Sequence, residues 1–363
     1  MNFITTREYL LRTIALTERV VGKKESLPVL SCFSITIENE CVVRATNLES
    51  GVQVVVPGEI KEKGVIAVPA ALFSSVVRSL SSDPITLRSE GDNLLVEAKG
   101  SKTLVKCVPH EEFPVFSMAQ GETEVLPRVE LIKAIQSVLY AASPSMIRPE
   151  LGSVLVRCDE GELISAATDS FRLAEKRIRG LTGGSIELLI PLKHAQELLH
   201  ILEKISGDTL SIAISDSQLV VKVEAVIFFS RITEGSFPQY TEVIPKQFST
   251  EAIVLKSDLS DTLKKARLFS GTDHHIGFHL YPKRKIFSAT AQSPNVGEMS
   301  EVLEGSITGE DLDINFHLGY LGDCLASIPS DSVTLQFAGV GRPLVMRGVS
   351  DTTFTYLVMP LNR

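Results

Sequence analysis

Asp169, Ser170 and Arg172 stand together in the stretch AATDSFRLA, residues 166 to 174, directly after an apolar run. A carboxylate, a hydroxyl and a cation at that spacing could in principle support nucleophilic catalysis. A nucleophilic serine, however, needs a neighbouring base and usually an oxyanion cradle such as G-x-S-x-G, and neither surrounds Ser170. His274, His275 and His279, in HHIGFH, are the best metal ligands by residue type. They fall in an alternating strand pattern without an acidic or cysteine partner at ligand spacing, which argues for no metal. No G-x-x-x-x-G-K-[ST] occurs, and Gly339-Val340-Gly341 lacks the third glycine and the strand-to-helix setting of a dinucleotide site. These residues point to no catalytic group and no cofactor.

The elements around the first cluster explain it better. Its Ala167-Thr168 recurs as Ala45-Thr46 and as Ala289-Thr290, at intervals of 168 − 46 = 122 and 290 − 168 = 122. Each copy closes the same pattern: an alternating strand, a polar turn and a second alternating strand. These are FSITIENECVVRAT, SVLVRCDEGELISAAT and IGFHLYPKRKIFSAT. Period-two apolar spacing marks half-buried strands, and the turns Glu38-Asn39, Asp159-Glu160-Gly161 and Pro282-Lys283 make hairpins of them.

A helix-period segment precedes each hairpin, at residues 5–20, 127–142 and 257–270. Thr5 with Glu8 reads as a capping box, Pro127 as a first-turn proline, and Ser257 with Asp258 as a cap with a first-turn acid. A second helix follows each hairpin, with Pro69 and Pro191 again 191 − 69 = 122 apart and FHLGYLGDCLASI the weakest of the three. Pro238 to Pro360 repeats the interval, 360 − 238 = 122. The expectation is α+β: three repeated domains, 1–122, 123–246 and 247–363, each with two helices packed on antiparallel sheets. A period this long means repeated domains and not a solenoid, whose repeats run about 20 to 50 residues.

Composition agrees with an ordinary globular chain: 363 residues, 44% apolar, 22% charged, net charge −8. The N-terminal segment carries Arg7, Glu8, Arg12, Glu18 and Arg19 among its apolar residues, which is not a signal-peptide pattern. Five cysteines, scattered and never in C-x-x-C, fit free thiols in a reducing compartment, hence a cytoplasmic protein away from membranes. Within this acidic chain, positive charge recurs on the helical segments. Arg12 and Arg19 lie seven apart on the first. Arg128 and Lys133 open the second, Lys264, Lys265 and Arg267 lie on the third, and Arg78, Lys193, His194, His200 and Lys204 lie on the second helices of copies one and two. No aromatic residues interleave with them, a pattern suited to duplex backbone contact and not to single-strand stacking.

LPVL at 27, ATDSFRLA at 167, FPQYTEVIPK at 237 and the closing YLVMPLNR resemble the bacterial DNA polymerase III beta subunit family, the sliding clamps. The resemblance runs over the whole chain. It implies a head-to-tail homodimer of three-domain subunits, a ring with helices lining the hole, which encircles duplex DNA without reading its sequence and tethers the polymerase. Such a protein is not an enzyme. The implied DNA-facing positions are Lys24, Arg148 and Lys193, to which the charge pattern adds Arg12, Arg19, Lys133, Lys264 and Lys265.

The resemblance also implies a pocket for linear peptides of the polymerase III catalytic subunit, the clamp loader and other clamp-binding proteins. Its matching positions are Leu151, Thr168, Ser170, Phe171, Arg172, Leu173, Pro238, Val243, Pro343, Leu357, Met359, Pro360 and Leu361. Arg172 and Thr168 would be its polar points. The dimer seam implied by the family matches Leu268 and Phe269, with Lys99, Lys102 and Lys106 facing Glu298, Glu301 and Glu304 across it. The chain departs from the family pattern where Ser170-Phe171 replaces Gly-His, Glu242 replaces a common Arg, Asn362-Arg363 replaces Arg-Leu, and Ala71-Leu72 stand where relatives often carry basic residues. Phe171 is expected to narrow or grease the pocket, and Glu242 to disfavour acidic flanks on partner peptides. A peptide-binding scaffold that forms no ring, and an enzyme built from repeats with its site at a domain junction, are the two alternatives.

Overall fold

The structure is a computed structural model that describes residues 1–22, 27–114, 123–181, 185–215, 217–272 and 274–361. Lys24, Asn362 and Arg363 therefore lie outside the described residues, as does the expected boundary at 122.

Six α-helices are described: α1 (Arg7–Thr17), α2 (Ala70–Ser79), α3 (Arg128–Val138), α4 (Leu192–Lys204), α5 (Lys256–Phe269) and α6 (Leu318–Asp323). They are the three expected pairs, with ends that differ in physical detail. In α1 the N-cap is Thr6, whose hydroxyl accepts the Tyr9 N–H. Thr5 ends the first strand instead, and its hydroxyl donates to the Pro57 carbonyl at 2.6 Å. The α1 helix also stops at Thr17, because the chain folds back to bury Val20, with the Val20 N–H donating to the Thr17 carbonyl. Arg19 is therefore not on the same helical face as Arg12. Lys256 already belongs to α5, so Ser257 is not its cap; its hydroxyl donates to Asp258. The weakest helix by sequence, α6, is six residues long and tightens into a 3₁₀ turn at Cys324–Ser327.

All three expected hairpins form: Cys32–Ile37 with Cys41–Thr46, Ser153–Asp159 with Glu162–Thr168, and His275–Tyr281 with Ile286–Ser293. The described residues divide into two compact units, Met1–Val129 with Gln196–Ile232, and Glu130–Ala195 with Thr233–Arg363. The division cuts through the middle repeat because neighbouring repeats share sheets. In the first unit, Val226–Arg231 pairs antiparallel with Ser50–Val56, which fuses strands of copies one and two into an eight-stranded sheet. In the second unit, Arg172–Arg179 pairs with Phe354–Val358, which joins copies two and three in a nine-stranded sheet. A five-stranded sheet completes the first unit and a four-stranded sheet the second.

Ser332–Phe337 and Ile286–Ser293 bury alternate side chains, as their period demands, whereas Glu162–Thr168 and Phe354–Val358 are buried on both faces. In the second unit Phe278, Phe287, Phe316 and Phe337 form an aromatic cluster, with Phe278 and Phe287 edge to face at 5.3 Å. All five cysteines are free, and burial pushes the Cys41 thiol up to about 12, so it is an inert core group and not a nucleophile. No described helix is long and apolar enough to cross a membrane.

Candidate functional site

Thr168 and Asp169 end a strand and build the turn that follows it. The Asp169 carboxylate accepts the N–H groups of Phe171 and Arg172, both at 2.9 Å, while the Thr168 hydroxyl donates to the Arg172 carbonyl and accepts the Ser170 N–H. Copy one makes the same turn with other residues. Asn47 accepts the N–H groups of Glu49 and Ser50, and Thr46 bonds the Ser50 carbonyl and the Leu48 N–H. In copy three the strand runs straight on through Thr290 to Ser293, and Thr290 bonds His279. The Asp-Ser-Arg cluster is thus turn chemistry, with Asp169 occupied by backbone donors.

Ser170 sits at φ +77° and its counterpart Leu48 at φ +76°, in the left-handed region that costs a residue with a Cβ about 1 kcal/mol. Ser170→Gly is expected to stabilise the chain by about 0.5 kcal/mol, since relief of that strain exceeds the flexibility glycine adds to the unfolded chain. Denaturant unfolding would measure it, and an equal loss of stability would refute the strain argument.

The Arg172 guanidinium turns away from the turn's solvent side. It donates to Asp169 at 2.9 Å and to Asp323 at 2.5 Å, and its centre lies 4.3 Å from the Tyr320 ring centroid. Burial acts to lower its pKa, but Tyr356, Asp323 and Asp169 outweigh it and the net shift is upward. Its charge is fully engaged, so it serves as a fastener of the turn more than as an open polar contact. Thr168 is likewise occupied within the turn.

Beside the turn lies a cavity of about 260 Å³. Leu151, Thr168, Ser170, Arg172, Leu173, Pro238, Val243, Leu357 and Met359 line it, all of them expected pocket residues. Its floor continues into a core of Leu155, Leu173, Leu189, Phe237, Tyr240 and Leu357, and Met359 packs against that core. Phe171 is 62% exposed at the lip, with its carbonyl accepting the Met359 N–H. Pro343, Pro360 and Leu361 stand outside this lining. Pro360 and Leu361 border a separate cavity, and the Leu361 N–H donates to the Asn315 carbonyl.

Three lining residues escape the sequence reading in this role: Arg148, Gln239 and Tyr240. Arg148, expected to face DNA, pairs with Glu150 at 3.0 Å. Tyr240 is held from below: its hydroxyl donates to the buried Glu175, which Arg177 grips with two bonds at 2.8 and 2.9 Å. Burial and then the Glu175 charge push the Tyr240 hydroxyl well above its usual range, so it stays a donor. The only sequence signal for Tyr240 is its place in FPQY, where Phe237 packs edge to face on it at 5.7 Å.

The expected DNA-facing cations are mostly engaged. Arg12 lies 3.7 Å from Glu224, Lys133 pairs with Glu130 at 3.0 Å, Lys264 with Asp261 at 2.8 Å and Lys265 with Glu301 at 2.6 Å. These pairs are exposed and individually weak, so phosphates can compete for the cations. Lys193 opens α4, and Arg128 is structural, with its guanidinium bonded to the Leu202 and Gly207 carbonyls.

The expected seam residues fall on two sheet edges. Ser101–Lys106, with Lys102 and Lys106, ends the five-stranded sheet, and Gly297–Val302, with Glu298 and Glu301, ends the four-stranded one. Leu268 on α5 is exposed, Phe269 is half-buried near Gly297, and Glu304 follows the acidic strand. Among the described residues no group of three or more metal-ligating side chains forms, and His279 bonds Asp313 and Thr290 instead.

Three family models match the chain in succession: the DNA polymerase III beta subunit N-terminal domain over residues 1–117, central domain over 125–239 and C-terminal domain over 241–362. The beta sliding clamp of Streptococcus pneumoniae strain R6 is 28% identical over 99% of both chains. Among solved structures, the Thermotoga maritima beta subunit superposes with a TM-score of 0.94 at 23% identity, covering 100% of this chain and 99% of that one. The Pseudomonas aeruginosa sliding clamp bound to griselimycin does so with a TM-score of 0.93 at 25% identity, covering 100% of both.

Proposed function

The chain belongs to the DNA polymerase III beta subunit family, and from that membership we propose that it works as a DNA sliding clamp. Three domains, 1–122, 123–246 and 247–363, form one subunit, and two subunits close head to tail into a ring around duplex DNA. The ring holds the replicative polymerase on its template in the cytoplasm and performs no chemistry of its own.

The observation that carries the ring is the pair of sheet edges. Unpaired edges invite association, and these two bear opposite charge, with Leu104 on the basic edge and Val302 on the acidic edge both exposed. A contact between unlike edges is heterologous, and it closes after two subunits when the rotation allows. The peptide pocket beside Leu173 and Leu357 supports the docking of the polymerase catalytic subunit, the clamp loader and other proteins with a clamp-binding motif. Retention on nicked circular DNA that is lost when the circle is cut tests the ring directly. Retention that survives linearisation would replace the ring with a scaffold that forms none, and turnover of nucleotide or ester substrates would favour the enzyme.

At the pocket lip Phe171 adds apolar surface, and Glu242, exposed next to the lining residue Val243, adds negative charge. Phe171→His is expected to weaken an apolar clamp-binding peptide about threefold to tenfold, the worth of part of one apolar contact. Calorimetric titration of the peptide against both proteins decides it, and equal affinities would remove Phe171 from the site.

A further inference from the structure

Three strands of the four-stranded sheet in the second unit bring a polar cluster together on one face. His275–Tyr281 lies between Ile286–Ser293 and Leu312–His317, with Gly277 opposite both Thr290 and Asn315, and His279 opposite Asp313. Ile276, Phe278 and Leu280 are buried in the core, so by the strand period Gly277 and His279 point outward. Thr290, His279 and Asn315 line one cavity of about 530 Å³ together with Gly277.

The hydrogen bonds of His279 fix its roles. Its Nδ1 lies 2.6 Å from Asp313 Oδ1, and its Nε2 lies 2.9 Å from the Thr290 hydroxyl. An ionised carboxylate can only accept, so Nδ1 carries the proton, and in the neutral ring Nε2 must then accept from Thr290. The Tyr281 hydroxyl also donates to Asp313, at 2.9 Å, and holds that carboxylate in place. A hydroxyl bonded to an imidazole that a carboxylate orients is the arrangement that activates an oxygen nucleophile, and geometry defines it, not sequence order. Spacing along the chain hides it, because the partners of His279 stand 11 and 34 residues away.

Gly277 keeps this face open. A Cβ there would meet the Thr290 hydroxyl and Asn315 Oδ1 at 2.9 Å and His279 Nε2 at 3.3 Å, so a side chain would push the group apart. The same distances show that three polar atoms converge on one point. Among the described residues none bonds the Asn315 side chain, and its amide can turn to aim Nδ2–H into the cavity. An amide donor beside a nucleophile is of the kind that stabilises the oxyanion of acyl transfer.

We propose that Thr290 is an acylation site, at which the hydroxyl takes a short acyl group from an uncharged ester or thioester. The Thr290 oxygen attacks the acyl carbon, its proton passes to His279 Nε2, and Asn315 faces the oxygen that gains charge. The bond from the acyl carbon to the leaving alkoxide or thiolate then breaks, and His279 hands the proton to that group. Glu298 lines the cavity and no Lys or Arg does, so phosphate-bearing donors are disfavoured. The acyl group fills the space above Gly277 and keeps water from His279. Each chain is therefore marked once, without turnover.

The test treats the full-length protein with p-nitrophenyl acetate and locates the acetyl group by peptide mass mapping. One acetyl per chain is expected on Thr290, formed at least a hundredfold faster than on other exposed threonines, the usual worth of a positioned base. Thr290→Ser is expected to keep the reaction and Thr290→Val to end it. His279→Ala is expected to remove the rate advantage, and free imidazole to restore part of it, which a histidine of purely structural role would not show. Acetyl groups on lysines alone in the unaltered protein, or Thr290 acetylation unchanged by His279→Ala, overturns the proposal and leaves the trio as a static bond across the sheet face.

Discussion

Arg172→Ala is expected to lower the unfolding free energy by about 3 kcal/mol and to weaken peptide binding at the adjoining pocket about tenfold. The magnitude follows from what is left behind. Stripping one partner from a buried ion pair costs about 3 to 5 kcal/mol, because the other charge stays desolvated. The Asp169 side chain is only 10% exposed, but Asp323 is 43% exposed and can be rescued by water, which places the loss at the lower end. The stack on Tyr320 goes too. Affinity falls because Asp169, no longer oriented by the guanidinium, holds the N–H groups that shape the turn at the pocket lip less firmly. Arg172→Lys is expected to fall between, keeping the charge and losing the fork that reaches two carboxylates. Chemical denaturation with peptide calorimetry measures both effects. A stability loss below about 1 kcal/mol with unaltered peptide affinity would show that the turn holds without its fastener.

How far this site can be read from sequence depends on the range of the interactions that build it. The turn at Thr168-Asp169 is local, and its repetition as Thr46-Asn47 marks it as a strand end before any coordinates are known. Strand alternation and helix periodicity are local as well, so the hairpins and the presence of all six helices are legible, although α3 and α6 end at Val138 and Asp323, short of the segments read for them. The misplaced cap at Thr5 and the early stop of α1 come from tertiary pull: Thr5 is held by the Pro57 carbonyl and Val20 is drawn into the core. Sheet sharing between repeats is not legible, because nothing in Ser50–Val56 says that its partner is Val226–Arg231 and not a strand of its own copy. The same blindness hides the support under Tyr240. Glu175 reads as an ordinary polar position of a strand, and its burial follows only from pairing with Thr355 across a shared sheet. Charge is the least transparent feature. Lys265 and Glu301 each look like half of an external contact, yet α5 packs beside the strand Gly297–Val302 and the two meet within the chain.

Arg177→Ala tests that hidden support, and its expected cost is about 3 to 4 kcal/mol. Glu175 is 5% exposed and accepts two bonds from Arg177 and one from the Tyr240 hydroxyl. Without the guanidinium, one neutral hydroxyl must stabilise a buried carboxylate, which is the expensive case. Arg177 also holds Glu162 at 3.1 Å, but that pair is more exposed and adds little. Combining the change with Glu175→Gln should recover part of the loss, since an amide has no charge to strand, and the two changes should be clearly non-additive in a double-mutant cycle. Tyr240→Phe removes a single bond and is expected to cost about 1.5 kcal/mol, the range for a hydrogen bond to a charged group. The pocket separates the two explanations for its wall. If the Glu175 bond positions the Tyr240 ring, peptide affinity falls in both Arg177→Ala and Tyr240→Phe. If packing against Phe237 suffices, stability falls while affinity holds, and the carboxylate beneath the pocket is a matter of folding alone.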